Sequence, residues 1–369
     1  MRDRWPPEAA AIRTAWRGVR RSLTIVRRRR DRLSLALQGG GAHGAFTWGV
    51  LARLLEDDPR IEGVSGASAG ALNAVVLASG WLGGGAAGAG RALDELWREI
   101  GRLTQMNPMR AGGLTRMAAD FAAQFLSPHQ LNPWGLNPLR SILERMVDFE
   151  GLRAAAAPRL FVAATSVMSG RARIFTNADL SSEAVLASTC LPQLHRAVAI
   201  DGEPYWDGGF SANPPVIPLI EGCRARDVVL VQINPLAAGR VPRTPREIRD
   251  RVAEIAFGRP LADELARLQE AAAGAIWPLA WIDRRRRRLA RHRLHTIDGS
   301  AELGRLDPRT RMEPSWPLLL ELRERGWRAA DAWLRQGRGA RSTAPPEEAS
   351  IGPRAEGAAP RRARGGRSA

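Results

Sequence analysis

Apolar residues near the start of the chain fall into short runs that end on glycine. Leu33–Gln38 (LSLALQ) closes on three glycines and predicts a buried strand. Ala45–Glu56 repeats at helical spacing through Trp48, Leu51 and Leu55. Ile61–Val64 predicts a second strand, followed at once by small residues and then by a helical pattern over Leu72–Ser79. Strand, glycine loop, helix, strand, tight turn and helix within ~50 residues is the rhythm of an α/β protein with a parallel sheet.

Further along, Gly83–Gly90 reads as a flexible linker, and residues 91–153 as helical, broken by a loop with Pro128, Pro133 and Pro138. Leu160–Thr165 predicts a strand and Ala172–Phe175 another. Ser182–Ser188 predicts a short helix, and Ala197–Ile200 a short strand opening a hairpin-like segment through Trp206. Asp227–Asn234 (DVVLVQIN) is β-branched, bounded by charge and Pro235, and carries the strongest strand pattern in the chain. Residues 244–273 and 316–335 read as helical, and five Trp between Trp277 and Trp333 mark that part as a lid or flank.

Composition bounds this picture. The 369 residues suit one large domain or two modest ones, and 44% hydrophobic with 25% charged is globular. Cys190 and Cys223 are too few for a disulfide scaffold or a four-cysteine zinc site. One cross-link stays open, with two reduced thiols in a cytoplasmic protein as the simpler expectation. Net charge is +17, and all 55 basic residues are Arg, a total exclusion of Lys that reads as coding bias.

Position decides what the charge means. Ten Arg lie in residues 1–30, seven in 284–295 and seven in 337–369, which leaves the rest of the chain at −2. The globular body is therefore not a basic nucleic-acid surface, and no nucleic-acid partner is expected. In the N-terminal segment Ile12, Trp16, Val19, Leu23 and Val26 share a helical face, with arginines on the others. Docking on the chain's own domain and lying on an anionic membrane both use that pattern. No secretory signal is visible, because no apolar core follows the N-terminal arginines. Gly63–Gly90 carries no charge over 28 positions, but its nine glycines argue for burial in a core over a helix spanning lipid. The expected organisation is a basic amphipathic segment over 1–31, a catalytic domain over 32–236, a helical extension over 237–336 and a disordered basic tail over 337–369.

Two constellations carry chemistry. Gly66-Ala67-Ser68-Ala69-Gly70 is a G-x-S-x-G between a predicted strand and helix, a turn that projects a serine hydroxyl from the sheet. Gly39-Gly40-Gly41-Ala42-His43-Gly44 follows the first strand and matches the dinucleotide fingerprint, as does the linker at Gly83–Gly88. It either cradles a pyrophosphate or forms an oxyanion hole beside the serine turn. The second strand ends in the serine turn where a dinucleotide fold tends to bring its acidic ribose ligand, which favours the oxyanion hole. For a base, His43, His129, His195, His292 and His295 are on offer, and none sits in an obvious catalytic turn. Asp207 does: Asp207-Gly208-Gly209 follows the hairpin, and glycines after an acid let it project with nothing covering it. Such a carboxylate can take the serine proton directly, as a Ser-Asp dyad. Alone, the same tripeptide is a hairpin turn.

The ordered set of GGGxxG after a strand, GxSxG after the next and a later DGG resembles the patatin-like phospholipases. Ala187-Ser188-Thr189-Cys190-Leu191-Pro192 and Asn213-Pro214-Pro215 extend the likeness over roughly residues 32–236. The resemblance implies a three-layer α/β/α fold with a mostly parallel central sheet, here with a helical C-terminal flank. It implies hydrolysis of lipid acyl esters without metal or cofactor. Ser68 would be the nucleophile, Asp207 the base, and the loop of Gly39, Gly40, Gly41 and Gly44 the oxyanion hole, with Gly66, Gly70, Gly208 and Gly209 supporting the turns. Many family members carry Lys or Arg where this chain has His43, which opens a part in proton transfer for that histidine. The implied partner is a lipid ester, with a cytoplasmic location and peripheral contact with an anionic membrane through the Arg-rich segments. Three rivals stand beside it: an α/β-hydrolase triad using His195, His292 or His295, a dinucleotide-binding oxidoreductase, and a non-enzymatic RNA- or membrane-binding adaptor.

Overall fold

The computed structural model describes residues 32–105, 130, 132, 137–154, 158–238, 240–274, 283–312 and 315–336. The segment 1–31, the tail 337–369, Trp277 and most of the Pro128–Pro133 loop, with His129, lie outside them. Eight strands form one sheet: β1 Arg32–Leu37, β2 Arg60–Gly66, β3 Arg159–Ser166, β4 Ala172–Thr176, β5 Val198–Ile200, β6 Glu203–Asp207, β7 Asp227–Gln232 and β8 Arg293–Asp298. The helices are α1 Gly44–Leu55, α2 Ala69–Gln105, α3 Pro138–Met146, α4 Phe149–Ala154, α5 Ser182–Ser188, α6 Val216–Gly222, α7 Pro245–Gly274, α8 Arg284–Ala290, α9 Ser300–Leu303 and α10 Trp316–Arg335. Across the sheet the order is β5-β6-β3-β2-β1-β7-β8, with β4 also on β3. The run from β3 to β8 is parallel, and β4, β5 and β6 are antiparallel to their neighbours.

Side chains alternate across the strands, and in β1, β3 and β7 both faces are buried. Leu33, Leu35 and Leu37 of β1 and Val229 and Val231 of β7 join a core with α1 to α5 and α10. Ala36, Val228 and Leu230 join a second core with Val216, Leu219 and Ile220 of α6 and Leu261 of α7. The result is a three-layer α/β/α fold, and double burial is why β1 and β7 read as continuous apolar runs.

Pairing along β3 sets up the site. Val162 pairs with Gly66 of β2 and with Phe175 of β4, while Ala164 pairs with Asp207 of β6 and with Arg173 of β4. Since β4 holds one edge, β2 and β6 share the other, end to end. The chain leaves β2 at Gly66 and reaches Ser68 where β6 arrives at Asp207.

Residues 83–90 are not a linker. Helix α2 runs from Ala69 to Gln105 and loses helical geometry only at Gly84 and Gly85, the latter at φ 57. The halves fold side by side: Trp97 Nε1 donates to Asn73 Oδ1 at 3.0 Å, and a Cβ on Gly88 would overlap the Gly80 carbonyl. Glycine there serves helix contact. The segment 69–103 is apolar and long enough to cross a membrane, its most apolar window is 61% buried, and the break makes it two helices.

The C-terminal part flanks the sheet. Helix α10 lies against α1, where Cβ atoms on Gly49 or Gly326 would overlap the carbonyls of Arg323 or Phe46. Trp316 packs 6.4 Å from Trp48, and Trp327 Nε1 donates to Glu56 Oε1 at 2.9 Å. The Arg run at 284–295 forms α8 and then β8, a strand that its sequence does not announce. Arg285 pairs with Glu221, and Arg288 donates to the carbonyls of Ile220 and Cys223 at the end of α6. Part of that charge therefore fastens α8 to α6.

Candidate active site

Ser68 sits in the turn between β2 and α2 with φ 55, a left-handed conformation that a side chain adopts only under constraint. The constraint is visible. The Ser68 amide donates to the carbonyl and to Oγ of Ser188, both at 3.1 Å, and the Gly70 amide closes the turn on Ala67 O at 2.9 Å. A Cβ on Gly66 would lie 2.5 Å from the Gly70 backbone, and one on Gly70 would overlap the Leu37 carbonyl. Both flanking glycines are thus required by close backbone approach. The amino end of α2 begins at Ala69, so the positive end of its dipole favours negative charge beside Ser68.

The glycine loop lies directly on this turn. A Cβ at Gly39 would come 2.5 Å from Ala67 O and 2.7 Å from Ser68 Cβ. Gln38 Oε1 accepts from the amides of Ile233 at 2.8 Å and Asn234 at 2.9 Å, pinning the loop to the end of β7. The Gly39 amide donates to Asn213 Oδ1 at 2.7 Å, and its carbonyl accepts from Asn234 Nδ2. Gly44 opens α1 and turns its amide onto the carbonyls of Gly41 and Ala42. Of the four glycines expected in an oxyanion hole, Gly39 and Gly44 therefore have committed amides. Those of Gly40 and Gly41 make no hydrogen bond among the described residues. Gly41, at φ 60, passes under the Arg311 carbonyl. A Cβ at Gly39, Gly40 or Gly41 would come within 3 Å of Ala67, Ile233 or Arg311, so close packing holds all three positions to glycine.

Asp207 is fully buried, not uncovered as its tripeptide implies. The backbone is held by its amide on Cys190 O at 2.8 Å and its carbonyl under Thr165 Oγ1 at 2.7 Å. A Cβ on Gly208 would overlap Ala163 O, and one on Gly209 would overlap the ring of Phe257 from α7 while lying 3.0 Å from Asp207 Oδ1. The glycines let two elements close over the acid. Burial pushes the Asp207 carboxyl up from 3.8 to about 7, against the Gly209 amide and the Ser68 hydroxyl, which pull it down. Oδ1 accepts from Gly209 N at 2.7 Å; Oδ2 is buried with no well-formed hydrogen bond. The Ser68 hydroxyl therefore lies beside a carboxyl with spare acceptor capacity.

Among the described histidines, His295, His292 and His43 hydrogen-bond groups other than Ser68 and Asp207. His295 Nε2 bonds Asp227 Oδ1 at 2.7 Å and His292 Nδ1 the Arg288 carbonyl at 2.5 Å. Asp227 opens β7 and His292 precedes β8, at the end of the parallel strands opposite Ser68. Burial lowers the pKa of His195. His43 is buried against Thr310, Nε2 to Oγ1 at 2.8 Å, and burial with the Arg311 charge lowers it to about 4. It is a neutral strut between the glycine loop and the 308–311 turn. Cys190 and Cys223 are free and buried, raised by burial to about 12 and about 11. Asn213, Asn234, Gln38 and Ser188 hold the two loops together. Ser188 and Asn213 stand in segments the sequence singled out, but nothing local signals their roles.

Curated proteins named as uncharacterised NTE family members in Mycobacterium bovis and Mycobacterium tuberculosis are 30% identical over 210 residues, covering 56% of this chain and 51% of theirs. The chain thus spans about half the length of the curated relatives it matches. Among solved structures, VipD from Legionella pneumophila aligns over 83% of this chain and 67% of its own, with 14% identity and a TM-score of 0.38. The ExoU–SpcU complex from Pseudomonas aeruginosa aligns over 83% and 52%, with 17% identity and a TM-score of 0.34. The model of the patatin-like phospholipases matches residues 35–220, from within β1 to within α6, and on that match the chain belongs to the patatin-like phospholipase family.

Proposed function

We propose that this protein hydrolyses acyl esters of lipids through a Ser68–Asp207 dyad. Asp207 takes the Ser68 proton as the hydroxyl oxygen attacks the ester carbonyl. Negative charge on the carbonyl oxygen is met by the amides of Gly40 and Gly41 and by the amino end of α2. Collapse of the tetrahedral adduct breaks the bond to the alcohol, which leaves with the proton from Asp207. Water then gives a proton to Asp207 as it attacks the acyl-enzyme, and collapse breaks the bond to Ser68 Oγ, which takes that proton back from Asp207 as the fatty acid leaves. A cytoplasmic location, with action at the inner face of a membrane, completes the proposal.

The observation that carries it is a constrained serine at φ 55 facing a buried carboxyl raised to about 7. A base near neutrality is what general-base catalysis at neutral pH requires. The test uses a short p-nitrophenyl ester and a fluorophosphonate probe. Ser68→Ala and Asp207→Asn are expected to abolish turnover while circular dichroism is unchanged, and Ser68→Ala to abolish labelling. Full turnover in Ser68→Ala refutes the proposal.

A further inference from the structure

Helix α7 carries an apolar face that its own fold leaves uncovered. Ile248, Val252 and Ile255 are 47%, 61% and 51% exposed, and Val241, just before the helix, is 79% exposed. The spacing of four and three places the helical trio on one side. Single exposed aliphatics are ordinary, but a stripe along one helix marks a contact surface. The opposite side is fully engaged. Phe257 packs 4.6 Å from Phe210 and against Gly209, Leu261 is buried, and the Phe257 carbonyl accepts from Asn213 Nδ2 at 3.1 Å. Arg246 reaches Asp307 at 2.5 Å. The stripe therefore points outward because the helix is fixed from behind.

Charge identifies the occupant. Residues 240–259 hold six Arg against three acids. Arg240, Arg246, Arg251 and Arg259 pair with acids, while Arg243 and Arg249, beside Ile248, are exposed and make no ion pair among the described residues. Branched aliphatics between arginines match the layering of an anionic lipid surface, acyl chains beneath and phosphates above.

We infer that the outer face of α7, Ile248, Val252 and Ile255 with Val241 at its head, docks the protein on an anionic lipid surface. Its link to catalysis rests on the lipid-ester reading above. The inner face of the helix holds Phe257 against the turn of Asp207, so docking brings the base to within about one helix diameter, ~10–12 Å, of the lipid. Membrane contact then runs through the wall of the site itself, in addition to any made by the Arg-rich segments.

The experiment uses the full chain and sedimenting vesicles of phosphatidylcholine mixed with phosphatidylglycerol. Salt is high, where the Debye length is ~3 Å at 1 M and the basic segments are screened. The triple change Ile248→Ser, Val252→Ser and Ile255→Ser is expected to lower vesicle partition on the order of a hundredfold. The corresponding Leu triple is expected to keep it, and turnover of a short soluble ester to stay as in the parent. If the Ser triple melts early, the single change Val252→Glu carries the same comparison. Unchanged partition overturns the inference. So does a shift of the lipid-free protein from dimer to monomer in sedimentation velocity, which would assign the face to a second copy. A parent that binds vesicles through this face yet turns over no ester leaves the docking intact and removes the lipid-ester reading; the converse result does the reverse.

Discussion

Replacing Asp207 by Asn tests the physical claim behind the proposed base. The carboxyl is wholly buried, with its pKa raised from 3.8 to about 7, chiefly by desolvation. Asn keeps the acceptor for Gly209 and cannot ionise. The native state binds the Asp207 proton more tightly than the unfolded chain does, so wild-type stability is highest, relative to the variant, when the acid is protonated. Below about pH 4 the difference between the two proteins is constant. From there to about pH 7 the wild type loses ground at ~1.4 kcal/mol per pH unit, and above about 7 the difference settles ~4 kcal/mol further toward Asn than its low-pH value. The assay is urea denaturation of both proteins across this range. Only the difference is informative, because Glu264 is also raised to about 7 and His43 lowered to about 4, and both are common to the two proteins. A flat difference, or one of opposite slope, refutes the raised carboxyl. The wild-type kcat/KM should rise with pH through the same value and level off above it.

Other perturbations separate positioning from chemistry. Gly39→Ala places a Cβ 2.7 Å from that of Ser68 and is expected to cost ~1–3 kcal/mol in denaturation and at least about a hundredfold in kcat on a soluble ester; unimpaired kcat would refute the contact. Asn213→Ala strands the Gly39 amide and frees the Phe257 carbonyl, for a loss of ~1–3 kcal/mol, read by thermal melting and by a fall in kcat/KM. His43, lowered to about 4, should show no protonation by NMR between about pH 5 and 8. Its contribution to stability is present above 6.5 and lost as pH falls toward about 4, so His43→Gln should flatten the acid limb of the stability profile.

The legible parts of the fold were those where one local pattern had one physical use. β1, β2 and β7 are apolar and bounded by turns, and α5 was readable to the residue because Ser181 caps it at 3.2 Å. β8 was hidden, because one of its buried positions is His295, satisfied by Asp227, and arginines surround it. α6 has seven residues with Pro218 inside, too short for helical periodicity. Gly83–Gly90 misled because glycine serves a loop and a close helix contact equally well. The serine turn, the glycine loop and the aspartate were all visible. What fixes them was not: Ser188, Asn213 and Asn234 act across 120, 174 and 195 residues of chain.

The same distance effect governs the strength of the proposed base. An uncovered Asp207 would titrate near 3.8, too weakly basic to draw a proton from serine at neutral pH. Its cover includes Phe257 of α7, which lies outside the span 35–220 shared with the family. Phe257→Ala admits water to the carboxyl, lowers the desolvation cost of its charge and so moves its pKa toward 3.8. The rising limb of kcat/KM should shift to lower pH and its plateau should fall, because the conjugate base weakens. Phe257→Leu, which keeps the cover, should stay near the wild-type limb. A merely structural Phe257 would lower the plateau and leave the limb at about 7. That result would return the control of Asp207 to the residues the family shares.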